Sequence, residues 1–370
     1  MPLRLLVDCH TFDIGPQGTT TFLAGVLNAL PAAAKSKGIA VELICAAHTR
    51  AAVERFVEVP HRYAAMRGGF VRRNALSLPR ICRETGADWV ISQYVRPFRS
   101  KARTASVIHD VLFLDFPHLF GWRYRALRRA LFGWAASHSD AVLTVSEYSR
   151  RRIAAHFQQP AEVIDIVINA VGTRFTDGSE QPAALRQDGP VRLLMVSRLE
   201  RRKRQDWCIR AAVQLSEQGV EVVLDLVGHG ADSYADEVRT LARAHPDVIH
   251  LHESVDDAAL VAMYKQADLF LFPSECEGFG IPVIEAAALG LPCVVAENTA
   301  LSELRPVFVG PDFTGNSVDT FVEAVRAAVE DIAELRQRAQ AVRGRVPAIY
   351  NWEAAAGQLL TSLAKRGGAQ

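Results

Sequence analysis

Two doubly wound parallel α/β domains are the fold this sequence predicts, and three observations carry that expectation. Short Val/Ile/Leu-rich runs alternate with longer helix-like stretches along the whole chain, the pattern of parallel sheets covered on both faces. At 370 residues the chain exceeds one ordinary domain. Between its halves, "NAVGTRFTDGSEQPAALRQDGP" (169–190) concentrates Gly, Pro, Asp and Ser as a linker does. The expected division is 1–172 and 173–349, each Rossmann-like, with 350–370 as a terminal helix returning to pack on the first domain.

The first domain offers strands at 4–8, 41–47, 88–93, 105–110, 141–146 and 161–168. The second offers 191–197, 222–228, 248–253, 268–274 and 293–297. The tail "YNWEAAAGQLLTSLAKR" (350–366) carries the apolar stripe of a helix. Sheets of this kind bind ligands beyond the carboxyl ends of their strands, so the two domains are expected to face one another across a cleft.

Composition fits a globular protein with ample core, 49% hydrophobic and 22% charged. No apolar run approaches the roughly 18–20 residues that span a bilayer. The opening "MPLRLLVDCHTF" reads as a strand, without the apolar core of a signal peptide. Six cysteines lie scattered in apolar runs with no CxxC pair, which points to buried free thiols and a cytoplasmic setting. The net charge of +1 conceals an asymmetry: residues 1–172 carry 22 Lys/Arg against 13 Asp/Glu, leaving the remainder acidic. A basic half faces something anionic, such as a membrane surface, phosphate or nucleic acid.

The most informative stretch is "PSECEGFGIPVIEAAALGLPC" (273–293). A buried strand runs into a glycine-rich turn, Pro282 suits the first helical position, and Gly290 ends the helix. Free amides around Gly278–Val283 then form an anion site backed by the helix dipole. Glu277 in the turn and Glu285 one turn into the helix can accept hydrogen bonds from hydroxyls on either side of a phosphate. Ribose, pyrophosphate and hexose have that order in a nucleotide sugar. The competing reading is a solvated acid beside a structural turn.

Further candidates sit at other strand ends. In "VSRLERRKRQD" (196–206), Arg198 and Lys203 can stabilise the charge of a departing diphosphate, although a run such as RRKR is more often simply solvated. "DIGPQGTTTFLAGVLNAL" (13–30) opens a helix with Gly15, Gly18 and Thr19, suited to close approach of phosphate or sugar. His109 and Asp110 close "ASVIHD", where a histidine can meet a sugar hydroxyl or simply be satisfied in the core. No His/Cys/Asp cluster has metal-ligand spacing. "FGWRYRALRRALFGWAA" (120–136) reads as a basic amphipathic helix, either covering the sheet or lying on an anionic membrane. "RGGFVRR" (67–73) and "RPFRSKAR" (96–103) supply most of the remaining basic excess.

Taken together, "EGFGIPVIEAAALGLPCVV", "SRLERRK", "IHDVLFLDFP", "TVSEYSRRRI" and "LVGHG" make most of the chain resemble family-four glycosyltransferases, retaining enzymes of the GT-B fold. The resemblance implies a nucleotide-sugar donor; no cofactor is expected, and no metal, since the Arg198 and Lys203 cations can do the electrostatic work. It implies that Arg198 and Lys203 bind the donor pyrophosphate. Glu277 would contact the transferred sugar, with the amides of Gly278, Phe279, Gly280 and Ile281 on sugar and phosphate. Glu285 would hold the ribose, Gly228 and Val255 would border the base, and His109 would meet the sugar. Gly15 to Gly18 would lie over phosphates or acceptor, leaving Asp110 and Thr19 on the acceptor side.

The chain departs from the family pattern at "INAVG" (168–172), at "LSELRPVFVGPD" (301–312) and at "GPQGTTT". The expected reaction moves a hexose, with mannose from GDP-mannose preferred over a UDP-hexose, to a glycan or lipid-linked oligosaccharide. No nucleic-acid partner is expected. The rival readings are a nucleotide-sugar epimerase of the same fold and a non-catalytic nucleotide- or polyanion-binding protein.

Overall fold

A computed structural model describes residues 1–15, 17–176, 189–311, 313–314 and 317–368. Most of the linker composition noted above, at 177–188, lies outside the described residues, as does Pro16. The chain forms two compact units, Met1–Ala170 with Tyr350–Gln370, and Val171–Ile349.

Unit 1 holds a seven-stranded sheet in the order β3-β2-β1-β4-β5-β6-β7. Its strands are β1 Leu3–Asp8, β2 Val41–Ala47, β3 Arg62–Ala65, β4 Trp89–Gln93, β5 Arg103–Val107, β6 Ala141–Thr144 and β7 Ile164–Ile166. Every recorded pairing in it is parallel. β4 and β6 are buried at every residue, as their unbroken apolar runs require when helices cover both faces.

β3 is the strand the sequence does not announce. "RYAA" has no β-branched run, and it pairs only with β2 at the sheet edge, half exposed. Its place is set by ladder hydrogen bonds rather than by side-chain burial.

Unit 2 holds a five-stranded sheet in the order β10-β9-β8-β11-β12. The strands are β8 Val191–Val196, β9 Val222–Val227, β10 Ile249–His252, β11 Leu269–Phe272 and β12 Cys293–Val295, again all parallel. In unit 1 the winding reverses between β1 and β4, and in unit 2 between β8 and β11. These are the positions where loops at the strands' carboxyl ends part and leave room for a ligand.

The helix Trp352–Gly367 belongs to unit 1 and packs along the helix Gly18–Ser36. The contact is intimate at Gly25, where a Cβ would lie 2.3 Å from the Trp352 ring. The six cysteines are buried and free. Among the described residues, no helix is long and apolar enough to cross a membrane.

Gly25→Ala is expected to lower the thermal midpoint by an overpacking cost of about 1–3 kcal/mol. In a Trp352→Ala background the same change should cost little, because the obstructing ring is gone. Thermal melts of the two single variants and the double variant measure that coupling.

Candidate active site

The site grows from the two central strands of unit 2. β8 continues through Ser197 and Arg198 into a single 3₁₀ turn, Arg201–Lys203, and β11 continues through Ser274 to Glu277. The two loops are stitched together by hydrogen bonds to backbone carbonyls. The Glu275 amide donates to the Arg202 carbonyl at 2.7 Å, and Arg202 Nη1 donates to the Cys276 carbonyl at 3.0 Å.

Between the loops lies a buried charge cluster. Lys203 Nζ donates to Glu277 Oε1, and Arg202 Nη1 stands 3.4 Å from Glu277 Oε2. Ser274 Oγ donates to Glu277 Oε1 at 2.7 Å. Lys203 also lies over the Phe272 ring, 5.2 Å from its centroid. Thr299 Oγ1 accepts the Glu277 amide at 3.0 Å, although Thr299 itself has a left-handed backbone at φ +47°. Non-glycine residues occupy that region at a cost, so the neighbours hold it there.

Electrostatics decide the charge state of Glu277. Burial pushes its carboxyl upward, but Lys203 and Arg202, with hydrogen bonds from Lys203 and Ser274, outweigh burial and hold it below the usual carboxylate range. Lys203 is held below the ordinary ammonium value, first by burial and then by Arg202, with Glu277 opposing both. Glu277 is therefore an ionised acceptor of hydrogen bonds.

Immediately after Glu277 come Gly278, Phe279, Gly280 and the helix Ile281–Ala288. Gly280 caps that helix at φ +115°, where a Cβ would also meet Leu301 at 2.6 Å, so glycine is required twice over. Pro282 stands in the first turn, and Gly290 follows the helix end at φ +70°.

Glu285 proves to be buried rather than open. Its Oε2 accepts the Tyr264 hydroxyl at 3.1 Å. Burial raises its carboxyl to about 7, with Arg174 and the Tyr264 hydrogen bond opposing.

The remaining unit 2 candidates frame this cluster. Arg198 is exposed, with Nε 3.4 Å from Glu200 Oε1, and it does not join Glu277. Gly228 has φ +147°, and a Cβ there would overlap the Ser197 carbonyl at 1.8 Å. The "LVGHG" turn thus clasps the turn that carries Arg198, and the Leu199 amide donates to the His229 carbonyl at 3.0 Å. Val255 is half-buried, just before Asp256, whose carboxylate caps the next helix by accepting the Ala259 amide at 2.7 Å.

The other candidates belong to unit 1. His109 is buried, two residues beyond β5, with Nε2 3.1 Å from Gln93 Oε1. Gln93 Nε2 in turn donates to Thr11 Oγ1 at 2.9 Å, bridging the carboxyl ends of β4 and β1. Burial lowers His109 to about 3, so the ring is neutral near pH 7. Asp110 Oδ1 accepts the Leu112 amide at 3.2 Å. Gly15 has φ +108°, and the helix starts at Gly18. There Thr20 Oγ1 donates to the Gly15 carbonyl at 2.8 Å, while Thr19 is half-buried.

Sequence reasoning did not single out four contributors, namely Arg202, Ser274, Thr299 and Tyr264. Arg202 sits in the RRKR run, of which Arg202 and Lys203 are built into the site while Arg201 stays exposed. Arg201 pairs with Glu237 and Arg204 stacks 4.1 Å over the Trp207 ring. Its position just beyond a central strand, shared with Arg198 and Lys203, was the available signal. The other three act through contacts distant in sequence.

Paired parallel α/β units with this strand-end cluster define the class of GT-B glycosyltransferases. The chain belongs to glycosyltransferase family 4. Residues 17–175 match the model "Glycosyltransferase Family 4" and residues 178–344 the model "Glycosyl transferases group 1".

The chain is 31% identical to a glycogen synthase of Mycobacterium tuberculosis over 246 residues, covering 64% of this chain and 57% of that protein. It is 30% identical to a GDP-mannose-dependent alpha-(1-6)-phosphatidylinositol monomannoside mannosyltransferase of Mycolicibacterium smegmatis over 253 residues, 64% of each. The chain thus spans less than two thirds of either relative. The solved structure of HepE from Anabaena in complex with UDP-glucose shares the fold at TM-score 0.75 and 16% identity, over 98% of this chain and 99% of that one.

Glu285 generates a pH prediction. Its folded pKa of about 7 lies above the ordinary glutamate value of 4.5, so the folded state holds the proton more tightly. That contribution is fully present below the unfolded pKa and is lost as pH rises through about 7, a change of about 3 kcal/mol at most. Thermal midpoints of the wild type and Glu285→Gln should lie close together near pH 5. By about pH 8 they should separate, with the variant higher.

Proposed function

We propose that the protein transfers a hexose from a nucleoside diphosphate sugar to an acceptor hydroxyl with retention of anomeric configuration. The carrying observation is the Lys203–Glu277–Arg202 cluster at the β8/β11 reversal, set directly before the Gly280-capped helix. A diphosphate finds donors in the helix amides and the exposed Arg198 guanidinium, and a sugar hydroxyl finds an acceptor in ionised Glu277. Glu285 would take the ribose diol. Doing so exchanges the Tyr264 hydrogen bond for sugar hydroxyls and favours its charged form, so nucleotide affinity should rise between about pH 6 and about pH 8.

In the transfer, the bond from the anomeric carbon to the β-phosphate oxygen breaks. The acceptor oxygen bonds to that carbon from the same face, and the acceptor proton passes to the departing phosphate. Two cations and a serine hydroxyl already engage Glu277, mostly through Oε1, which makes it a poor nucleophile and favours same-face attack over a glycosyl-enzyme, while Oε2 keeps acceptor capacity for a sugar hydroxyl. Arg198, Lys203 and the helix amides stabilise the leaving group electrostatically, without a metal. His109, neutral at working pH, acts as a hydrogen-bond partner for a substrate hydroxyl rather than as a proton donor. GDP-mannose is the favoured donor, supported by the GDP-mannose-dependent relative and by the "HDVLFLDFP" segment. A glycan or lipid-linked oligosaccharide is the favoured acceptor.

A thermal-shift panel of GDP-mannose, UDP-glucose and other nucleotide sugars tests the donor. A bound donor at about 100 times its Kd should add about 2.7 kcal/mol, and a flat response across the panel would sink the reading. Glu277→Gln should reduce transfer by at least about a hundredfold, and Arg198→Ala by a similar factor with an unchanged melting profile. Full transfer by either variant refutes the site assignment, and lasting loss of transfer after chelation refutes metal independence.

A further inference from the structure

The three basic stretches of unit 1 meet on one face. The rings of Phe70, Phe98 and Trp134 form a chain, with centroids 6.3 Å and 5.6 Å apart. The Arg96 guanidinium lies 5.4 Å over the Trp134 ring. Segments 67–83, 96–109 and 116–139, which supply these rings, contain no aspartate or glutamate. Of the acids adjoining them, Glu84 pairs with Arg80 at 3.5 Å and Asp110 accepts the Leu112 amide at 3.2 Å. Asp115 accepts from Arg152 at 2.8 Å and lies 2.7 Å from His156, while Asp140 accepts the Thr104 amide at 2.8 Å.

The helix Trp122–His138 shows how this face differs from an ordinary covering surface. Phe132, Ala135 and Ala136 are its buried side. Its outward side presents Trp122 at 71% and Leu127 at 63% exposure, with Ala126 and Ala130 also exposed. Arg129 borders that apolar side and Arg123 lies within it, both exposed. A helix serving only to cover a sheet turns its polar residues outward. Here the outward side carries large apolar side chains interspersed with arginines. On the neighbouring segment, Val71 and Leu76 extend the exposed apolar surface at 66% and 63%.

We propose that this face of unit 1 docks peripherally on an anionic lipid bilayer. Trp122 and Leu127 would enter the headgroup boundary, and Arg123, Arg129 and the exposed Arg67, Arg72 and Arg99 would sit among lipid phosphates. The charge fits, since basic residues near such a surface are attracted to it without a specific pocket. The exposed apolar side chains fit as well, since they gain nothing from a purely ionic partner but are buried in a lipid interface. The proposal is independent of the glycosyl-transfer reading.

Co-sedimentation with vesicles of phosphatidylcholine alone, and with phosphatidylglycerol added, tests it. The full chain should pellet with the anionic vesicles and remain in solution with the neutral ones. Trp122→Ala/Leu127→Ala, and separately Arg123→Gln/Arg129→Gln, should each weaken partitioning by about tenfold or more. All four side chains are exposed and lie outside the strand-end cluster, so melting profiles and turnover on a water-soluble acceptor should stay at wild-type values. Equal binding to both vesicle types, or unchanged binding by both double variants, overturns the proposal. So does vesicle-free dimerisation that the Trp122→Ala/Leu127→Ala change abolishes, which would make the face a contact between copies. Equally tight binding of single-stranded DNA, lost in the arginine variant but not in the apolar one, would assign the face to polyanions and overturn it too.

Discussion

A carboxylate removed from water needs opposite charge around it, and unit 2 is arranged to meet that need at Glu277. Both cations come from the loop after β8 and the acid from the loop after β11, so the cluster forms only because those two strands are neighbours. The loops are pinned to one another by the Glu275 amide on the Arg202 carbonyl and by the Arg202 guanidinium on the Cys276 carbonyl. The left-handed Thr299 and the Gly228 turn are further parts of the same fitting. Strain and close packing recur around this one charge and are tolerated because the surroundings leave no alternative.

The two glutamates of the glycine-rich turn show how far environment outweighs residue type. Both are buried. Glu277 meets two cations and is held in its charged form, whereas Glu285 meets a phenol and drifts towards neutrality. Burial acts on both in the same direction; Lys203, Arg202 and two hydrogen bonds outweigh it at Glu277, whereas Arg174 and the Tyr264 hydroxyl, with Asp257 working against them, do not at Glu285. One acid is thus fixed in state, and the other stands where a change of partner shifts its protonation.

Much of the architecture was legible in the sequence because buried parallel strands leave a strong signature. Continuous apolar runs marked eleven of the strands, and the edge strand β3 escaped because "RYAA" buries too little to leave a trace. The site was legible where function coincides with local backbone chemistry: a glycine-rich turn, a proline in the first helical turn, cations beyond a strand. It was illegible where partners come from afar. Nothing near Glu285 announces Tyr264, and nothing near Glu277 announces Thr299. The arginine-rich run looked solvated because sequence gives charge but not which side chains turn inward.

The last helix of the chain has a consequence for how the molecule comes into being. Trp352 fills the space left by Gly25, so the first-made unit is completed by residues synthesised after the whole of unit 2. During translation unit 2 can close while unit 1 still lacks a helix and exposes the apolar side of Gly18–Ser36. Domains generally fold in order of synthesis, and here that order is reversed for the final step. The nascent protein therefore passes through an interval in which its older half is the unfinished one.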